Sequence, residues 1–119
     1  MKDFEYYRQR FLSGVQMTKD VDYGDKASVR KNNRGVDQYR KAAVTIREKY
    51  PDRIPEFALL LDHEDHKVQV ACAVSLVELM NAASPHREKA LDIIRAVARD
   101  GDPLERMGWG EWLKRRGVV

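Results

Sequence analysis

The chain has 119 residues, 43% of them hydrophobic, which is enough for one compact domain but short for two ordinary ones. We therefore expect residues 1–119 to fold as a single domain. The 22 Lys and Arg against 19 Asp and Glu leave a formal charge of +3, a bias too mild to indicate nucleic acid by itself. The single cysteine excludes an internal disulfide and a Cys-based zinc knuckle.

The sequence carries no recognisable membrane or secretory signal. No window approaches the roughly 18 consecutive apolar residues of a membrane span. The N-terminal segment MKDFEYYRQRF places acidic residues and tyrosines where a secretory signal has an unbroken apolar stretch. We therefore expect a cytoplasmic protein with no membrane partner.

The first half of the chain predicts two amphipathic helices and a short third one. Apolar residues three and four apart predict a helix over about residues 3–19. An apolar stripe predicts a second helix over about 26–49, which ends because the Tyr50-Pro51 step disfavours further helix. Asp52 is a suitable cap for the short third helix.

The segment 67–80 differs from the others because apolar residues surround nearly its whole circumference. Such a helix must be covered on several sides, so we expect it to be the central and most buried helix. Cys72 lies within it. A thiol in apolar surroundings stays protonated and inert, so nucleophilic catalysis is not expected.

Two proline start signals precede the last helices. The Ser84-Pro85 pair predicts a cap followed by the first residue of a fifth helix. The Asp102-Pro103 pair repeats this signal. Because the last segment contains Gly108 and Gly110, we expect a short or broken sixth helix.

Each predicted hairpin has one acidic turn, which precedes its second helix. The three turns span residues 20–25, 62–65 and 100–105, and their centres lie about forty residues apart, within the range of two-helix solenoid repeats. Short loops make consecutive helices antiparallel neighbours. The six helices therefore predict an all-α fold of three stacked antiparallel hairpins.

The segment LLLDHEDHKVQVACAVSLVEL, residues 59–79, resembles a HEAT-repeat hairpin, with an acidic turn between two apolar helices. Gln69 departs from the pattern, because these repeats usually carry an arginine there. Together with residues 29–46 and 107–117, the hairpin also resembles small all-helical immunity proteins of bacteria. This resemblance implies a HEAT-like α-solenoid that binds and neutralises a cognate toxin, a basic protein such as a nuclease.

Charge is distributed unevenly along the chain. The acidic turns hold nine carboxylates and no Lys or Arg in 16 residues, whereas the remaining 103 residues hold 22 bases and 10 acids. Stacked hairpins would gather the nine carboxylates on one ridge. Helix capping and the helix dipole account for acids at helix starts. Three acids per turn exceed what a cap needs, which favours a docking strip for a basic protein.

We therefore predict a site for a basic partner protein on this ridge, with a tyrosine and a tryptophan as apolar anchors. Trp109 stands between two glycines, whereas Trp112 and Leu113 are expected in the core. The default interpretation is that tryptophans near this end of the chain seal the open end of the helical stack, and an exposed Trp109 that anchors a partner is the alternative. The predicted contact residues are Asp22, Tyr23, Asp25, Asp62, Glu64, Asp65, Asp102, Glu105 and Trp109.

Helix two offers an alternative, because the bases of its outer face are suited to nucleic acid or to a scaffold role. A solvated helix face explains the same residues, and aromatic residues that would stack on bases are not interleaved with them. Nucleic acid is therefore the second hypothesis. The bases concerned are Arg30, Lys31, Arg34 and Lys41.

Two further arginines of helix two, Arg40 and Arg47, flank its apolar stripe. We expect both to be half-buried. Carboxylates such as Asp37 or Glu78 are the expected partners.

Catalytic and metal chemistry is not indicated. His63 and His66 are three residues apart, whereas the H-E-x-x-H motif needs its histidines four apart on one helical face. No glycine pattern matches a phosphate-binding loop. We therefore expect a non-enzymatic protein with no metal and no cofactor.

Overall fold

Six α-helices joined by short turns make up residues 2–118, which are the residues described by the computed structural model, and no strand occurs among them. The predicted all-α fold with six helices is therefore confirmed. The helices are α1 (Phe4–Met17), α2 (Lys26–Lys49), α3 (Ile54–Phe57), α4 (His66–Val74), α5 (His86–Asp100) and α6 (Pro103–Arg115). Short 3₁₀ turns flank α3 at Pro51–Arg53 and Ala58–Asp62, and a wider helical turn, Ser75–Leu79, extends α4.

The first hairpin consists of α1 and α2, which run antiparallel and in backbone contact. Phe4 at the start of α1 packs edge-on against Tyr50 at the end of α2, with ring centroids 6.4 Å apart. Nearer the turn, Gly14 faces Gly35: a Cβ placed on Gly35 would lie 2.5 Å from the Gly14 carbonyl oxygen. Side chains larger than hydrogen at these two positions would force the helices apart.

The second hairpin consists of α3 and α4, and α4 lies at the centre of the protein, as predicted. Its Cys72 is fully buried, with Sγ 3.5 Å from the Phe57 carbonyl oxygen. The helix widens at its end, where the Met80 amide donates to the Ser75 carbonyl five residues earlier, at 2.9 Å. Its surroundings are less complete than expected, because Val70 and Val74 are only half-buried.

The third hairpin consists of α5 and α6 and contradicts two predictions: a break in the last helix and a serine cap on α5. The last helix is unbroken from Pro103 to Arg115 despite its two glycines. A capping box stabilises its first turn, since Asp102 and Glu105 each accept from the other's backbone amide. At α5, Pro85 itself occupies the cap position and no side chain caps the helix, so the predicted role of Ser84 is wrong.

Glu78 joins the first and third hairpins. Its carboxylate accepts from Arg40 of α2 at 3.1 Å and from the Trp112 indole of α6 at 3.2 Å, and Arg116 lies 3.3 Å away. Burial alone would raise the pKa of Glu78, but the two hydrogen bonds and the arginine charges together hold it below its ordinary value. The predicted Arg40–Glu78 pair is thus confirmed.

Arg47 does not follow the same prediction. It is exposed rather than half-buried, and its guanidinium donates to the Leu79 carbonyl at 2.8 Å and to Glu48 at 3.2 Å. Asp37, the other expected partner, pairs with Lys41 at 2.9 Å.

One cluster of buried apolar side chains includes residues from all three hairpins. None of the helices within residues 2–118 combines the length and the apolar character needed to cross a membrane.

Candidate protein-binding face

The three acidic turns are neighbours along one edge of the protein. Lys19, just before the first turn, forms an ion pair with Asp65 of the second. Lys67 Nζ donates to the Thr18 carbonyl at 2.8 Å, which joins the same two segments. His66 Nε2 lies 3.9 Å from Glu105 Oε2 in the third turn. The juxtaposition that stacked hairpins require is therefore present.

Helix capping accounts for part of the acidic surplus. Asp25 accepts from the Ala27 amide at 3.1 Å, and Asp65 accepts from the Lys67 amide at 3.0 Å. Asp102 accepts from the Glu105 amide at 2.9 Å. Each turn thus uses one aspartate as the cap of the following helix, and Glu105 completes the capping box of α6, so five of the nine turn acids have no helix-capping role.

Three turn carboxylates are compensated by nearby bases. Asp62 accepts from Lys89 of α5 at 2.7 and 2.8 Å, and Asp65 pairs with Lys19, whose hydrogen bond lowers the pKa of the Asp65 carboxyl. Asp100 pairs with its neighbour Arg99 at 2.9 Å. Within residues 2–118, six turn acids have no Lys or Arg within 4.0 Å: Asp20, Asp22, Asp25, Glu64, Asp102 and Glu105. The ridge therefore stays negative, mainly at its first and third turns.

A cleft of about 320 Å³ opens between α2, α4 and α6 beside these turns. Val70 and Val74, the half-buried valines of α4, lie on its wall. Its apolar lining consists of Val36, Tyr39, Val70, Val74 and Trp109, together with parts of Val15 and Ala71. Its polar lining consists of Thr18, Asn32, His66, Lys67 and Glu105. We call this site the α2–α4–α6 cleft; it combines an apolar surface with one of the acids of the third turn.

Trp109 is half-buried on the wall of the cleft, and its ring meets Trp112 edge-on at 6.0 Å. Trp112 is also half-buried rather than fully in the core, because its indole nitrogen is directed to Glu78. Leu113 is buried, as predicted. The Trp109 ring therefore packs against Trp112 on one side and remains accessible from the α2–α4–α6 cleft on the other.

Exposed apolar side chains also concentrate near the turns. Tyr23 in the first turn is 79% exposed, and Leu104 and Met107 at the start of α6 are 77% and 67% exposed. Sequence reasoning missed Leu104 and Met107. The available signal was their three-residue spacing, which places them together on α6, out of phase with Trp109 and Leu113.

The structure groups the nine predicted contact residues unequally. Glu105 and Trp109 line the α2–α4–α6 cleft, and Asp65 is joined to the first turn through Lys19. Asp62 is held by Lys89 of α5 and does not line the cleft. The other residues lie in the turns at the edge, exposed to solvent: Asp22, Tyr23, Asp25, Glu64 and Asp102.

His63 and Cys72, the residues that could take part in metal binding or nucleophilic catalysis, are a hydrogen-bonded and a buried side chain respectively. His63 Nδ1 accepts from the Asp65 amide at 2.9 Å, and burial raises the pKa of the Cys72 thiol. Within residues 2–118, no group of three His, Cys, Asp or Glu side chains is placed to hold a metal ion.

Comparisons of the chain with protein-family models, with curated proteins and with solved structures each returned no match. Its function is therefore inferred from the residues and geometry described above.

Proposed function

We propose that the chain is a non-enzymatic, HEAT-like protein-binding module that docks a basic partner protein on the α2–α4–α6 cleft and the adjoining acidic turns. The observation that carries the proposal is the position of an open apolar cleft, with Trp109 on its wall, beside turn acids that no Lys or Arg compensates.

The two parts of this surface have different roles in binding. Burial of Trp109 would supply most of the affinity, because tryptophan in a desolvated pocket is a typical hot spot of an interface. Burial of Val70 and Val74 would add the free energy of removing apolar surface from water. The turn carboxylates would accelerate the encounter and select a positively charged partner. The exposed Tyr23 and Leu104 extend the apolar surface at the two ends of the ridge.

The partner that we propose is a toxin, and binding would neutralise it by stoichiometric blocking of its active surface. The resemblance of residues 29–46, 59–79 and 107–117 to bacterial immunity proteins supports this part of the proposal. The acidic ridge is consistent with a basic toxin such as a nuclease, whose own site must attract phosphate.

Affinity capture from the cells that encode the chain tests the binding face. The bait is the wild-type chain or the Val74→Lys variant, which places a cation in the cleft. Val44→Lys is the matched control, because Val44 is a half-buried valine of α2 that lines neither the cleft nor the acidic turns. We expect a basic protein to bind the wild type and the control, and Val74→Lys to weaken binding by about 30-fold or more. Equal binding to all three, or the absence of any specific partner, would contradict the proposal.

A second pair of variants tests the electrostatic part. Glu64 and Asp52 are both exposed, and neither forms an ion pair within residues 2–118. Asp52 follows the end of α2 that lies opposite the first acidic turn. We expect Glu64→Lys to slow association with the purified partner and to reduce its dependence on salt, while the control Asp52→Lys leaves both nearly unchanged.

Growth assays test the toxin part separately. Expression of the captured partner alone should arrest growth, and co-expression of the wild-type chain, but not of Val74→Lys, should restore it. A harmless partner would refute the immunity role and leave the binding face intact.

A further inference from the structure

A second cleft, of about 400 Å³, lies between α1 and α2, and its lining carries a net positive charge. Four cationic side chains and two tyrosines line it: Lys2, Tyr6, Tyr7, Arg10, Arg34 and Lys41. None of these residues belongs to the α2–α4–α6 cleft or to the acidic turns. The site therefore needs an explanation of its own.

The positive charge of this second cleft is mostly uncompensated. Its one acid, Asp37, pairs with Lys41 at 2.9 Å. Among residues 2–118, no carboxylate lies within 4.0 Å of the cationic groups of Lys2, Arg10 or Arg34. Cations that the fold gathers without acids repel one another, and an anion bound among them would relieve this repulsion.

The two tyrosines add an aromatic surface to these cations. Tyr6 is 38% exposed, and its ring meets that of Tyr7 edge-on at 5.1 Å. Tyr7 in turn packs against Tyr50 at 6.1 Å, so the exposed ring has a fixed support. Lys2 Nζ lies 5.4 Å from the Tyr6 ring centroid. The sequence of α2 has no aromatic residues interleaved with its bases, but the fold brings Tyr6 and Tyr7 of α1 into the same cleft.

Cations beside an accessible aromatic ring are the combination that binds a phosphate and its nucleobase. We propose that the α1–α2 cleft binds a nucleotide unit, with the phosphate held by Arg10 and Arg34 and the base stacked on Tyr6. The cleft volume is within the usual range for a small-molecule site. The nucleotide is either free or part of a single strand, and the two sources share this chemistry.

Fluorescence anisotropy with labelled octauridylate, and calorimetry with AMP, test the proposal on the full chain. We expect Tyr6→Ala to weaken octauridylate binding by about 5- to 150-fold, which is the range for loss of one stacked base. Arg34→Gln should weaken binding and lower the slope of log K against log salt by about 1. Arg30→Gln is the matched control, since Arg30 is exposed one turn earlier on α2 and does not line the cleft.

The outcomes separate specific binding from general attraction. Binding of AMP that Tyr6→Ala removes would identify a free nucleotide as the ligand, whereas binding of octauridylate alone would identify a single strand. Equal losses for Arg30→Gln and Arg34→Gln, or competition by polyglutamate as strong as by octauridylate, would overturn the proposal. So would the absence of binding to both probes at low salt. Arg34→Gln should still rescue growth in the toxin assay, so the two proposals fail independently.

Discussion

Replacement of Gly35 by alanine tests the close contact between α1 and α2. The new methyl group would lie 2.5 Å from the Gly14 carbonyl oxygen and 2.7 Å from Met17 Cβ. The nearest atom belongs to the backbone, so a side-chain rotation cannot relieve the overlap. We therefore expect α1 and α2 to separate and to lose packing along the hairpin.

The size of the effect follows from two opposing contributions. Overpacking of a helix interface costs about 1–3 kcal/mol, and alanine for glycine inside a helix returns about 1 kcal/mol. With backbone in the way, the cost lies in the upper part of its range. We expect Gly35→Ala to reduce the free energy of unfolding by about 1–2 kcal/mol.

Gly108→Ala is the matched control, because a Cβ at Gly108 meets no atom within 4 Å. That variant should gain about 0.5–1 kcal/mol from helix propensity alone. Urea unfolding followed by circular dichroism measures both variants. With a urea slope of about 1.5 kcal/mol per M, the two midpoints should differ by about 1.5 M. Equal stabilisation by the two substitutions would refute the close packing of Gly14 and Gly35.

Three further experiments test individual contacts. The pKa of Glu78 is lowered in the folded state, so its contribution to stability is present at neutral pH and is lost as the pH falls below its ordinary value of 4.5. Glu78→Gln should therefore be less stable than wild type at pH 7, with a smaller loss on acidification in pH-dependent urea titrations. The Ser75 hydroxyl is buried without a hydrogen-bond partner within residues 2–118. Ser75→Ala should therefore be as stable as the wild type or more stable by up to about 1 kcal/mol. A clear loss of stability would mean that the hydroxyl forms a hydrogen bond in the folded protein. A double-mutant cycle of Lys19→Met and Asp65→Asn should give a coupling of about 0.5–1 kcal/mol that decreases with salt, whereas zero coupling would mean that this ion pair does not contribute to stability.

The sequence alone determined the number of helices and most of their boundaries. Helical periodicity is a local property, and caps act within one turn. The predicted span of α2, residues 26–49, is confirmed, and Asp102 begins α6 as expected. The expected break in α6 is wrong, because the capping box and the burial of Leu113 offset two glycine penalties of about 1 kcal/mol each.

The candidate sites depended on the tertiary structure to a greater degree. The acidic turns could be counted in the sequence, but the bases that compensate Asp62 and Asp65 come from distant parts of the chain: Lys89 from α5 and Lys19 from the segment after α1. The gap that leaves Val70 and Val74 uncovered is likewise a property of three helices together. Side-chain pattern predicts which face of a helix is apolar; only packing decides whether a neighbour covers it.

The same distinction holds for the α1–α2 cleft. Tyr6 and Arg34 are 28 residues apart in the sequence, and no local pattern relates them. Gly14 and Gly35 let the two helices approach until these side chains share one cleft. Local sequence therefore determined the helices, because their hydrogen bonds and caps are local, while the contacts between helices decided which charges and rings became neighbours.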